Sequence, residues 1–117
     1  VSHKTQHPFI GPKYDLHEAA RGWIETFLVD NGENLIKPEQ VFFEVTKKDK
    51  VARIDECECD FYIDDLPEIL LMSGFPQKTE GILFDSQNNH NDEGMSAKFQ
   101  SWAEIKNFFE IKWKTCN

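Results

Sequence analysis

TKKDKVARIDECECDFYIDDLPEIL, residues 46–70, holds a helix, a strand and the start of a second helix in one run. Thr46 is placed to cap a helix over KKDKVARIDEC, with Val51 and Ile54 turned inward. CDFYID (59–64) is short, apolar and bulky, the composition of a strand buried on both faces. Asp65 then stands where the next helix should begin. Pro67 falls in its first turn, Glu68 completes a capping box, and Ile69, Leu70 and Leu71 follow.

The same alternation extends outward. VFFEV (41–45) and GILFD (81–85) resemble CDFYID in length and bulk and predict two more strands. Asp15, with Glu18 three residues on, caps a first helix that Asn31-Gly32 would end. Its residues Leu16, Ala19, Ala20, Trp23, Ile24, Phe27 and Leu28 form a broad apolar face that must pack against something. Ser101 and Glu104 cap a last helix whose buried side would be Trp102, Ile105, Phe108 and Phe109. Residues 86–98, SQNNHNDEGMSAK, predict a long polar surface loop. Helices alternating with short apolar strands imply a layered α/β fold, a mainly parallel Rossmannoid sheet flanked by helices, in a single domain over 1–117.

Composition agrees. With 39% hydrophobic residues, ten phenylalanines and three tryptophans in 117 residues, the chain can build one core. No apolar run is long enough to cross a bilayer, and the first residues lack the pattern of a signal peptide, so a cytoplasmic protein is expected. Cys57, Cys59 and Cys116 lack the spacing of a zinc site or disulfide framework, which predicts reduced, buried thiols. A net charge of −8 opposes nucleic acid and anionic membranes as partners and admits a basic protein or a cation.

Parallel sheets bind ligands outside the carboxyl ends of their strands. Asp64 and Asp65 end one strand, Asp85 ends the next, and Thr46 and Lys47 follow another. Two carboxylates beside water and phosphate oxygens suit Mg²⁺, and a nearby lysine suits phosphate. The competing account makes Asp65 a helix cap and Asp64 a solvated carboxylate. Elsewhere the candidates are weaker. His3, His7, His17 and His90 are scattered, with His17 on the polar side of its helix; NNHNDEG lacks the ligand spacing of a calcium loop; Trp113 is an interface candidate.

YIDDLPEIL followed by FPQKTEGILFD resembles the later part of haloacid dehalogenase (HAD) superfamily proteins, whose acidic pair after the fourth core strand completes a Mg²⁺ site. TKKDKVARIDECECDFYIDD is similar to the family's lysine-bearing helix and the strand after it. VSHKT resembles the end of its second strand, and HPFIGPKYDLHEAARGWIE the segment that follows in one branch. The resemblance implies Ser2 as the phosphate-binding hydroxyl, Lys47 or Lys50 as the phosphate-neutralising lysine, and Asp64 with Asp65 as metal carboxylates, all vestigial. HAD enzymes attack through an aspartate in a D-x-D segment on a central first strand, flanked by the second and fourth. Here the chain starts at Val1 within the second strand, and Asp60 is followed by Phe61 and Tyr62, so nucleophile and general acid are missing. Losing a central strand leaves backbone to be paired, which predicts rearrangement or a homo-oligomer. Three functions follow: a non-catalytic HAD-like protein acting through binding or oligomer contacts, a Mg²⁺-dependent phosphatase fragment needing a D-x-D strand from another chain, or a small acidic toxin-neutralising inhibitor.

Overall fold

The computed structural model describes residues 1–3 and 15–116. The segment HPFIGPKY (7–14), with His7, lies outside the described residues, as do the side chains of His3 and Cys116. Two compact units divide the chain, Val1–Glu56 and Cys57–Asn117.

The first unit runs β1 (Ser2–His3), α1 (Leu16–Phe27), β2 (Val29–Asp30), β3 (Glu33–Asn34), a 3₁₀ turn (Pro38–Gln40), β4 (Phe43–Glu44) and α2 (Lys47–Glu56). Asp15 caps α1 by accepting from the Glu18 N–H at 3.0 Å. Asn31-Gly32 does not close that helix. With φ of 51° and 79°, the pair turns an antiparallel hairpin between β2 and β3. Two consecutive positive φ values are what a two-residue hairpin turn requires. The apolar face of α1 is also less covered than its pattern predicts. None of its residues is buried, and Trp23 and Phe27 are 55% and 63% exposed, their rings 5.3 Å apart.

Strands β1 and β4 pair in parallel, Ser2 opposite Phe43 and His3 opposite Glu44. Cations rather than aliphatic side chains secure β4. Arg21 lies 5.1 Å from the Phe43 ring centre and donates to the Val41 carbonyl; Arg53 lies 4.7 Å from the Phe42 ring and binds Glu44 at 2.8 Å. Thr46 caps α2 through the Asp49 N–H at 3.0 Å, and Val51 and Ile54 are buried as their spacing predicts.

The second unit runs β5 (Phe61–Asp64), α3 (Pro67–Leu70), β6 (Glu80–Phe84), β7 (Ala97–Phe99) and α4 (Trp102–Cys116). Its three strands are all parallel, in the order β5-β6-β7. Consecutive residues of a strand face opposite ways, and Ile82 and Leu83 of β6 are both fully buried, so both faces of the sheet are covered. Ile69, Leu70 and Ile105 complete the core. Gly81 packs closely on α3, and a Cβ there would stand 3.2 Å from Leu70 Cδ2.

Strand β7 lies within and just after the stretch predicted to be loop. It is held by Ser96 N–H to the Gly81 carbonyl and by Asp85 N–H to the Phe99 carbonyl. Ser101 and Glu104 cap α4 reciprocally, as the sequence predicts. Trp102, predicted inside, is 62% exposed and stacks on Phe84 at 5.0 Å. The architecture is therefore mixed α/β, with four helices, a three-stranded parallel sheet, a parallel strand pair and an antiparallel ribbon among the described residues. No described helix is long and apolar enough to cross a membrane.

Candidate functional site

The acidic strand end is built from alternation. Tyr62 and Asp64 share one side of β5 and are buried at 8% and 7% exposure, whereas Asp65 steps out to solvent. Asp64 Oδ1 accepts from the Leu66 N–H at 2.9 Å. The Tyr62 hydroxyl donates to the same carboxylate; burial and then the Asp64 charge push the phenol well above its ordinary value. Tyr62 is therefore a protonated donor.

This reverses the roles expected of the two aspartates. The N-cap of α3 is Leu66, with no side-chain cap, and Asp65 is exposed. Asp64, not Asp65, satisfies a backbone donor at the start of α3. Among the described residues, no group of three or more His, Cys, Asp or Glu side chains is arranged to hold a metal.

Asp85 ends β6 at the same carboxyl edge, two positions beyond Leu83, the partner of Asp64. It is buried, and accepts from the Asn89 and His90 N–H groups at 3.0 and 2.8 Å, with Lys98 Nζ at 3.9 Å. Burial raises the Asp85 pKa, but the two N–H donors and the nearby His90 and Lys98 outweigh it and hold the carboxyl below its ordinary value. Lys98 also donates to Asn88 Oδ1 at 2.7 Å and to the His90 carbonyl at 2.6 Å. The loop after β6 is thus organised by Asp85 and Lys98, and its asparagines are used within it.

Ser2, Lys47 and Lys50 belong to the first unit. The Ser2 N–H donates to the Phe42 carbonyl at 2.9 Å, which makes Ser2 a strand residue whatever its hydroxyl does. Lys47 is half-buried at the first position of α2, while Lys50 is only 7% exposed. Burying an ammonium is costly unless its charge is met, so Lys50 is the more constrained of the two lysines.

His17 is half-buried and stacks on Phe43 at 5.0 Å, a packing role the helix pattern hid. Cys57 is exposed rather than buried, and Cys59 is half-buried, its thiol raised chiefly by burial and next by Cys57. Thr79, which no motif marks, is buried and its hydroxyl donates to the Cys59 carbonyl at 2.6 Å. The Tyr62–Asp64 pair was accessible to sequence reasoning, since residues two apart on a strand face the same way. The Lys98 clamp was not, because it depends on where a thirteen-residue polar stretch folds back. No protein-family model, curated protein or solved structure matches this chain.

Proposed function

We propose that this chain is a HAD-like α/β protein that works through binding and self-association rather than phosphoryl transfer. The observation that carries the reading is the strand order. The family resemblance puts a central strand between the counterparts of β1 and β5, and these two stand at the ends of separate parallel sheets. Residues 1–117 contain no D-x-D segment to supply the nucleophile and acid, and the remaining carboxylates, Asp64 and Asp85, are committed to local backbone donors. Incubation with Mg²⁺ and an aryl phosphate is the test. No turnover above buffer is expected, from the native chain or from Asp64→Asn.

The burial of Lys50 favours a second reading, in which the family's phosphate-neutralising lysine is retained and a D-x-D strand comes from another chain. Adding a peptide that carries such a strand separates the two. Turnover that needs the peptide and disappears in Asp64→Asn would replace the first reading with the second.

A further inference from the structure

Helix α4 carries more apolar surface than its own unit covers. Trp102, Lys106, Phe109 and Trp113 recur at steps of four, three and four, which keeps them on one side of the helix. Trp102 and Trp113 are 62% and 74% exposed, Lys106 is exposed and Phe109 is half-buried. Beside this stripe runs a groove of about 1140 Å³ lined by Phe61, Glu80, Lys106, Phe109, Glu110 and Trp113.

The spacing of the stripe, four, three and four, is the same read in either direction. About the midpoint between Asn107 and Phe108, Trp102 mirrors Trp113, and Lys106 mirrors Phe109. We propose that α4 pairs antiparallel with α4 of a second copy across a two-fold axis through that midpoint. Such an interface is self-complementary by construction, because every contact occurs twice. Trp102 of each copy meets Trp113 of the other, and Lys106 and Phe109 fill the turns between them.

Charge selects this occupant. Within one chain Lys106 and Glu110 make only a loose contact of 3.9 Å, with side chains 78% and 54% exposed. Lys106 lies in the stripe and Glu110 one turn further on at its edge, and antiparallel pairing brings each Lys106 beside the second copy's Glu110, the residue next to the one that mirrors it. The helix is acidic in its first turn (Glu104) and basic in its last (Lys114), so antiparallel ends attract as their dipoles do. Lys112 and Lys114 also make this end of α4 locally basic in a chain of net charge −8, which keeps the mutual repulsion of two acidic copies away from the contact.

This surface deepens the self-association in the proposed function but rests on α4 alone. Metal-dependent turnover would leave it standing, and a monomer would leave the non-catalytic reading standing. The test is sedimentation equilibrium of the full chain and three charge variants, with circular dichroism to confirm that each is folded. The native chain is expected to be a dimer. Lys106→Glu and Glu110→Lys, each placing like charges opposite one another twice, should raise the dimer dissociation constant by about tenfold or more. The double variant Lys106→Glu/Glu110→Lys restores both pairs and should recover the native constant. A native monomer, a dimer indifferent to the single reversals, or a double variant weaker than either single would each overturn the pairing.

Discussion

Asp64 and Asp65 show how one peptide bond separates two fates. Asp64 is the last residue of β5 and is buried, whereas Asp65 lies past the strand end, in the bend before α3, and is exposed. The sequence announces the pair but not which member is inside, because that depends on the residue at which β5 stops. Asp85 makes a testable case for a buried carboxylate with a structural task. Its folded pKa lies below the ordinary aspartate value of about 3.9. The stabilisation it gives is thus complete above that value and is lost as pH falls through the lower folded one. The protection of the Asn89 and His90 amides, taken against the intrinsic exchange rate at each pH, is expected to fall on acidification below about pH 4. In Asp85→Asn that protection should be low already at neutral pH and change little with acid.

At the scale of elements, what is local in sequence is legible and what is distant is not. The caps of α1, α2 and α4 join residues three apart, and all three form where Asp15, Thr46 and Ser101 predict. The hairpin of β2 and β3 escapes notice because Val29–Asn34 lacks alternation, although Asn-Gly is itself a hairpin signal. Strand β7 escapes because Ala97–Phe99 is short and follows a polar run, so only its pairing with β6 makes it a strand. Two glycines test these assignments by responding to one substitution with opposite signs. Gly32→Ala forces a side chain into positive φ and should cost about 1 kcal/mol in urea denaturation, while open space surrounds the new methyl. Gly22→Ala, inside α1 with the same open space, should stabilise by about 0.5–1 kcal/mol.

At the scale of the molecule, alternating helices and strands correctly predict a mixed α/β protein with parallel strands, but not how the strands are shared out. Sheet membership depends on contacts between residues far apart in the chain, and no spacing rule encodes that β1 and β5 end different sheets. The distribution of burial has a consequence for time as well as for shape. The buried residues described in the first unit, Lys50, Val51 and Ile54, all lie on α2, whereas those of the second come from β5, α3, β6, α4 and the segments that end and precede β6. Protection from exchange follows buried contacts, so the chain should not open as one body. In deuterated buffer the amides of α1 and the hairpin are expected to exchange first, and those of β6 last. A single common rate for both would show one cooperative unit. The clock built into this fold therefore runs at two speeds, with the slower set by Ile82 and Leu83.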